Sequence, residues 1–237
     1  MIEKEMNYTV QGETMKMSVQ QYAVIGLGRF GSSVAQKLFE AGQEVLGIDN
    51  SEENVENALP FVTHAVVADA TDEKTLTSLG IRNFDTVIVA IGDDMQSNIL
   101  TVLLVKEMGV KQVIAEAISK RHGQVLEKIG ADRIIYPERD MGERLANLLL
   151  SPNLVNYIEL SKEFNLEEII IPPKMIGKSL RQLDLRAKHH VSVIVVIRDG
   201  ETIVTPSPDE VFKDNDVLVL IGKVEDLAKF THRIYVS

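Results

Sequence analysis

Apolar and polar residues follow two alternating patterns through the first half of the chain. Short, mostly apolar runs are separated by stretches whose apolar residues recur every three or four positions. The short runs are typical of strands covered on both faces, and the longer stretches are typical of amphipathic helices. The six runs are residues 22–25, 45–48, 64–68, 86–91, 112–115 and 133–136. They predict an α/β fold, a doubly wound parallel Rossmann-like sheet in the order 3-2-1-4-5-6.

The pattern changes after the Ser-Pro-Asn sequence at residues 151–153. The later strand-like segments are residues 155–160, 166–171, 191–197, 202–204 and 217–221. Between two of these segments, Arg-Asp-Gly-Glu at residues 198–201 predicts a β-hairpin. A short helix is expected at residues 178–185 and a last helix at residues 224–230. The second half therefore predicts a small α+β domain.

These patterns divide the chain into four parts. We expect an N-terminal Rossmann-like domain at residues 19–150, a linker or crossover at residues 151–157 and a C-terminal domain at residues 158–237. Residues 1–18 show no clear periodicity. They are expected to form a disordered arm or an over-long start.

The helix predicted after the sixth strand has an apolar stripe, formed by Met141, Leu145, Leu148 and Leu149 at helical spacing. Core packing is the usual explanation for such a stripe. Because the preceding sheet is already complete, the stripe could equally pack on a partner chain.

Charge and composition exclude several classes of protein. The 35 acidic and 25 basic residues leave a formal charge of −10, the opposite of the field that a nonspecific nucleic-acid binder needs. No apolar run approaches the roughly 20 residues that span a bilayer. The charged N-terminus lacks the apolar core of a signal peptide, so we expect a cytosolic protein. The absence of cysteine excludes disulfides and thiolate chemistry.

A glycine motif follows the first predicted strand. Gly26, Gly28 and Gly31 have the G-x-G-x-x-G spacing of a dinucleotide-binding turn, and Asp49 ends the next strand, where a carboxylate can accept hydrogen bonds from ribose hydroxyls. Strand, turn, helix, strand and terminal acid occur in the order that an adenine-nucleotide site requires. The alternative is a tight strand-to-helix turn that holds no ligand.

Three charged residues extend this hypothesis. Asp69 ends the third strand and could contact the adenine or its ribose, although a local capping role is also open. Arg29 begins the first helix, where its guanidinium can pair with a phosphate in its own site or across an interface, or be solvated. Glu138 follows the sixth strand; it either caps the next helix or lies near the phosphates, where a divalent cation would have to bridge them.

The sequence offers no recognisable catalytic arrangement. None of the five histidines has a metal-ligand spacing, and solvated or locally bonded side chains are the favoured interpretation. The second domain's candidates (Asp184, Arg186, His189 and His190) form no recognisable acid–base pair facing a cofactor. We therefore expect a nucleotide sensor rather than an enzyme. A NAD-dependent oxidoreductase is the alternative, because Asp49 suits NAD better than NADP.

Several blocks together carry a resemblance to a known family. They are AVIGLGRFG (23–31), VLGID (45–49), VVADATDE (66–73), LGIRNFDTVIVAIG (79–92), LEKIGADRIIYPERDMG (126–142) and LSPNLVNYIEL (150–160). The chain resembles the RCK or KTN regulators of potassium transport, and among them the KtrA/KtrC-type subunits of Ktr uptake systems. The resemblance spans residues 22–232.

The resemblance implies a nucleotide-gated subunit without enzymatic activity. Such subunits form homodimers that assemble into an octameric ring beneath a membrane-embedded potassium channel subunit of the KtrB/KtrD type, at the inner face of the membrane. ATP or ADP changes the ring's shape, and Mg²⁺ or Ca²⁺ accompanies ATP. An alternative within the family is an NAD/NADH-responsive Trk-type regulator.

The resemblance also implies residue roles. Arg29 matches an arginine that reaches the terminal phosphate of ATP from the neighbouring subunit, and Glu138 matches an acid associated with the cation. The candidate nucleotide-binding residues are Gly26, Gly28, Arg29, Phe30, Gly31, Asp49, Asn50, Asp69, Ala70, Ile91 and Gly92. In several relatives the C-terminal domain binds cyclic di-AMP, for which Arg186, Ala187, Val193 and Pro206 are the matching residues.

Overall fold

The computed structural model describes residues 5–10, 13–150 and 154–236. The chain forms two compact units, residues 1–141 and residues 142–237. Strands β1 (Glu5–Val10) and β2 (Glu13–Ser18) pair antiparallel, with Glu5 opposite Ser18. The sequence pattern did not predict this hairpin, because it expected a disordered arm or an over-long start there. The Ser-Pro-Asn break at residues 151–153 lies outside the described residues.

A six-stranded parallel sheet forms the centre of the first unit. Its strands are β3 (Gln21–Ile25), β4 (Glu44–Asp49), β5 (His64–Val67), β6 (Thr86–Val89), β7 (Gln112–Glu116) and β8 (Arg133–Ile135). They lie in the order β5-β4-β3-β6-β7-β8, which confirms the predicted 3-2-1-4-5-6 order. Every residue of β6 is buried, as expected for a strand covered on both faces.

Helices follow the strands of this sheet. They are α1 (Arg29–Glu40), α2 (Glu52–Ala58), α3 (Glu73–Ser78), α4 (Met95–Glu107) and α5 (Lys120–Lys128). Ser51, Asp72, Asp94 and Ser119 cap the last four of these helices, each accepting a hydrogen bond from a backbone N–H in the first turn. The cap of α1 is Gly28, which provides no side-chain hydrogen bond. Among these five helices, α1 is the one that begins without a capping side chain. The amide groups at its start are therefore not bound by such a side chain.

A five-stranded sheet in which every paired strand is antiparallel forms the second unit, in the order β12-β11-β13-β10-β9. Its strands are β9 (Leu154–Glu159), β10 (Phe164–Ile170), β11 (Ser192–Arg198), β12 (Glu201–Val204) and β13 (Val217–Lys223). Arg198 lies opposite Glu201, so the predicted hairpin is confirmed.

Four more helices complete the described chain, α6 (Pro137–Leu150), α7 (Leu180–Leu183), α8 (Leu185–His189) and α9 (Val224–Val236). The sequence had predicted one helix where α7 and α8 stand. Asp184 separates them in the left-handed conformation, with a φ of 47°. Among the described residues, no helix is both long and apolar enough to cross a membrane.

The apolar stripe of α6 is not part of a core. Met141, Leu145 and Leu149 are 62%, 56% and 73% exposed, and no residue of this helix is buried. Of the two alternatives for this stripe, core packing is not seen in the single chain, and packing on a partner chain stays a prediction.

A buried ion cluster joins two strands of the second sheet. Asp216 is fully buried and accepts hydrogen bonds of 2.8 Å from both Nε and Nη2 of Arg198 and from the backbone N–H of Lys213. Arg198 also donates to Glu210 at 3.0 Å. Because Arg198 ends β11 and Asp216 precedes β13, the cluster fixes the end of this strand pair and the loop between β12 and β13.

Candidate nucleotide-binding site

A cavity of about 700 Å³ lies at the carboxyl ends of the parallel strands, where open α/β sheets bind their ligands. Its walls come from the turn after β3, the ends of β4, β6 and β7 and the start of α6. The candidate residues that line it are Gly26, Gly28, Arg29, Phe30, Asp49, Asn50, Asp69, Ala70, Ile91, Gly92 and Glu138. Gly31 is the candidate that does not line it.

The turn after β3 is shaped by backbone contacts that only glycine allows. Gly26 has a φ of 95°, and a Cβ atom there would lie 2.4 Å from the carbonyl oxygen of Ala90. A Cβ atom on Gly31 would lie 1.8 Å from the carbonyl oxygen of Gly26. Gly31 therefore lets α1 pack against the turn, which explains why it contributes to the site without lining the cavity.

Gly28 has a different role, because a Cβ atom there would meet no heavy atom within 4 Å. The open space lies at the start of α1, whose first turn contains no acidic residue. Free backbone N–H groups and the helix dipole together favour an anion at such a position. The turn can therefore take a phosphate group close to its backbone.

The carboxylate of Asp49 ties two turns together. Its Oδ2 accepts a hydrogen bond of 2.6 Å from the N–H of Leu27, and its Oδ1 accepts one of 2.8 Å from the N–H of Ser51. Since a carboxylate oxygen can accept more than one hydrogen bond, both oxygens keep capacity for a ribose hydroxyl. Asp49 thus holds the glycine turn and faces the cavity.

Asp69 is exposed at the end of the β5 connection. Its Oδ1 accepts hydrogen bonds from the N–H of Thr71 at 2.8 Å and from the Thr71 hydroxyl at 2.7 Å. The neighbouring Ala70 is buried, and its carbonyl oxygen accepts a hydrogen bond from the Thr101 hydroxyl. These contacts fix the wall on the β5 side of the cavity. The second carboxylate oxygen of Asp69 has no recorded hydrogen bond within the described chain.

Arg29 is exposed at the first position of α1. Within the described residues its guanidinium makes no recorded ion pair. The charge is therefore available to a group outside the single chain or to a ligand in the cavity.

Glu116 is a buried acid of the site that sequence reasoning missed. It ends β7 and is only 4% exposed, yet it lines the cavity. Burial raises the pKa of its carboxyl group, and the charges of Glu138 and Asp93 raise it further. The available signal was its position, because Glu116 ends a parallel strand as Asp49 does.

These acids make one side of the cavity strongly negative. Within the described residues, no group of three or more histidine, cysteine or acidic side chains has the geometry of a metal site. Mg²⁺ commonly binds one or two carboxylates together with ligand phosphates. Glu116, Glu138 and Asp93 line the same cavity, so carboxylates of this kind are present in it.

The four residues considered for cyclic di-AMP lie on three separate segments of the second unit. Arg186 and Ala187 are exposed on α8, Val193 lies on β11, and Pro206 follows β12. None of the four lines the cavity that the second unit forms between α8 and α9.

Residues 22–137 match the TrkA-N domain family, and residues 166–234 match the TrkA-C domain family. The chain is 45% identical to Ktr system potassium uptake protein C of Bacillus subtilis over 91% of this chain and 97% of that protein. The chain belongs to this potassium uptake family. It is also 44% identical to Ktr system potassium uptake protein A of B. subtilis, over 89% of this chain and 95% of that protein. The resemblance to RCK regulators is confirmed.

The RCK domain of GsuK has a similar fold. It aligns with a TM-score of 0.51 and 24% identity, covering 92% of this chain and 47% of that one. At this identity the similarity shows the fold alone.

Proposed function

We propose that this chain is the cytosolic regulatory subunit of a potassium uptake system, and that a nucleotide bound at the glycine turn sets its activity. The proposal rests on two supports. The chain matches nearly the whole length of its Ktr system relatives, which are potassium uptake proteins. The cavity at the turn has the features of a nucleotide site. The bound nucleotide is thus proposed to regulate the subunit, and no reaction is assigned to the cavity.

The open space at Gly28 is the observation that carries nucleotide binding. A phosphate there meets the uncapped start of α1, while Asp49 offers carboxylate oxygens to a ribose. The two features lie on either side of one turn. An adenine nucleotide carries both a phosphate and ribose hydroxyls, so it can use both features.

Arg29 is proposed to distinguish ATP from ADP. A nucleotide shifts the equilibrium between two conformations only if it binds one of them better. Because ADP lacks the γ-phosphate, an exposed guanidinium that reaches this group in one conformation provides such a difference. Since Arg29 makes no recorded ion pair within the described chain, we assign this contact to the site of a neighbouring subunit in a homo-oligomeric, octameric ring.

Glu138 is proposed to hold a divalent cation beside ATP. Besides burial, the charges of Glu138 and Asp93 raise the pKa of the Glu116 carboxyl, so both acids lie close to Glu116. Polyphosphate in the same cavity would be repelled by these acids. A Mg²⁺ or Ca²⁺ ion between the phosphates and Glu138 would remove this repulsion.

The first experiment measures ATP and ADP affinity by calorimetry for the wild type and Arg29→Ala. We expect the ratio of ATP affinity to ADP affinity to fall at least tenfold in the variant, which corresponds to about 1.4 kcal/mol. Its ADP affinity should stay unchanged. Arg82→Ala is the control, because Arg82 is exposed in the same unit but does not line the cavity. Equal losses of ATP and ADP affinity in Arg29→Ala would contradict the proposed role.

The same titrations test the cation and the identity of the nucleotide. ATP binding should respond to Mg²⁺ or Ca²⁺ in the wild type and not in Glu138→Gln; an unchanged response would remove Glu138 from the cation site.

NADH is the competing ligand, and tighter binding of NADH than of ATP would favour a Trk-type NAD(H) regulator. Cyclic di-AMP is proposed to bind the C-terminal domain through Arg186, so its binding should be lost in Arg186→Ala. A KtrB/KtrD-like membrane subunit is the proposed partner.

A further inference from the structure

The second unit contains a cavity whose wall is mostly basic. It has a volume of about 630 Å³ and lies between α8 and α9. Its lining residues are Lys188, His189, His190, Asp226, Ala228, Lys229, Phe230, His232 and Arg233. Six of the nine are basic and one is acidic. In a chain with a formal charge of −10, this cavity gathers three of the five histidines.

Neighbouring acids do not neutralise this cluster. Lys229 has a distant ion pair with Glu225 at 3.8 Å, and Lys188 donates to the carbonyl oxygen of Leu183 at 3.3 Å. His190, His232 and Arg233 are exposed and have no recorded ion-pair partner in the described part of the chain. The cavity therefore keeps an excess of positive charge.

The positive charges converge on one side chain. Burial lowers the pKa of His189, and the charges of Arg233, Lys188 and His190 lower it further. These charges come from α8, from the residue after it and from α9. Basic groups of both helices therefore lie close enough to act on the same imidazole.

The wall is also held in place by packing. The imidazole of His189 lies 5.2 Å from the ring of Phe230, which is only 1% exposed. His190 has a left-handed backbone with a φ of 58°. A non-glycine residue in that conformation is strained, and such strain persists where the surrounding structure fixes it. Packing and backbone conformation therefore fix His189 and His190 in the wall of the cavity.

We propose that the α8–α9 cavity is a second ligand site, which takes a phosphate-bearing anion independently of the nucleotide cavity in the first unit. Arginine and lysine are the usual partners of phosphate oxygens. The volume is in the range of cavities that hold small organic ligands, which favours a phosphate ester or polyphosphate over a simple ion.

The test uses the full chain with inorganic pyrophosphate as the probe. Deuterium exchange at the histidine C2 position, read by mass spectrometry, reports the pKa of imidazoles in individual peptides. A bound anion stabilises the protonated imidazole, so pyrophosphate should raise the pKa of His189 by about one unit relative to chloride at equal ionic strength. His122 in the first unit, whose pKa is lowered by burial, is the internal reference and should not change.

A pair of double variants separates the site from general charge effects. Lys229→Gln/Arg233→Gln should lose the pyrophosphate response and keep its ATP affinity. Lys174→Gln/Lys178→Gln removes the same charge from exposed positions of the same unit and should keep the response. The proposal is overturned if pyrophosphate leaves the pKa of His189 unchanged, or if the Lys229/Arg233 variant responds as the wild type does. Neither result depends on whether ATP binds the first unit.

A second arm identifies the source of the phosphate. The chain is sedimented with phosphatidylcholine vesicles that contain or lack phosphatidic acid. Binding that needs phosphatidic acid and is lost in Lys229→Gln/Arg233→Gln assigns the site to a lipid headgroup. A pyrophosphate response without vesicle binding assigns it to a soluble phosphate compound. Both results support an anion site.

Discussion

Gly28 and Gly31 lie close together at the start of α1 but have different roles, Gly28 in binding and Gly31 in folding. The missing β-carbon of Gly31 makes room for the carbonyl oxygen of Gly26, a contact inside the protein. The missing β-carbon of Gly28 leaves open space at the start of α1. Alanine at these two positions should therefore damage different properties.

We expect Gly31→Ala to lower the free energy of unfolding by about 2 kcal/mol or more, because a backbone oxygen cannot move away cheaply. Gly28→Ala should change stability by less than about 0.5 kcal/mol, since its φ of −66° suits alanine. It should nevertheless weaken ATP binding at least tenfold, because the new methyl group occupies the phosphate's place. Urea denaturation and calorimetry of both variants check this. Unchanged ATP affinity in Gly28→Ala would place the phosphate elsewhere.

The candidate residues around the turn were predictable because residue type encodes their role. Gly26 needs a positive φ, and Asp49 ends a strand at a fixed distance after the glycines. Glu116 was not predictable in this way. Its role depends on β7 ending beside β6, so that its Oε1 lies 3.0 Å from where a Cβ of Gly92 would be. Only the folded sheet brings these two strand ends together.

Among the secondary-structure elements, the most buried were the most predictable. β6 reads as an apolar run because both of its faces are covered, whereas β1 and β2 carry no such run. The division between α7 and α8 depends on the left-handed backbone of Asp184, which the apolar pattern does not encode. The order of the six parallel strands followed from the alternation of strands and helices.

The ion cluster between β11 and β13 should be a major source of stability in the second unit. We expect Asp216→Asn to cost about 3 kcal/mol, because it leaves the charge of Arg198 without its buried partner. Asp209→Asn is the matched control. Its carboxylate pairs with Arg181 while both side chains are more than 60% exposed, so we expect a loss below about 1 kcal/mol. Similar losses in the two variants, measured by chemical denaturation, would contradict this assignment.

The contribution of Asp216 should also depend on pH. Burial alone would raise the pKa of its carboxyl, but hydrogen bonds from Arg198 and Lys213 outweigh burial and lower this pKa below 3.8. A lowered pKa contributes stability above the unfolded-state value and loses it as the pH falls through the folded-state value. The stability difference between wild type and Asp216→Asn should thus be constant near neutral pH and shrink below about pH 4.

For the assembled chain, the exposed stripe of α6 predicts self-association. Apolar side chains with this much exposure mark an interaction surface when they are contiguous. We expect Leu145→Glu/Leu149→Glu to weaken dimer formation roughly a hundredfold, as loss of about 3 kcal/mol would. Leu59→Glu is the control, because Leu59 is also exposed, at 57%, but belongs to the first unit and not to α6. Sedimentation equilibrium that shows the same dimer for all three proteins would remove α6 from the interface.

The sequence predicted two kinds of sheet and the family, but not the basic cavity. The histidines at positions 189, 190 and 232 had no metal-ligand spacing and were interpreted as solvated or locally bonded groups. Their significance depends on α8 and α9, which are separated by three strands in the sequence and adjacent in the fold. A pattern along the chain does not report such proximity.

The two hydrogen bonds that Asp49 accepts have a consequence for kinetics. The N–H groups of Leu27 and Ser51 both donate to its carboxylate, so the glycine turn and the end of β4 are held together by the protein's own hydrogen bonds. A preorganised site loses little conformational freedom on binding. Exchange of one nucleotide for another should then be limited by how fast the first one leaves. The subunit would follow changes in nucleotide composition with a delay set by the lifetime of that complex.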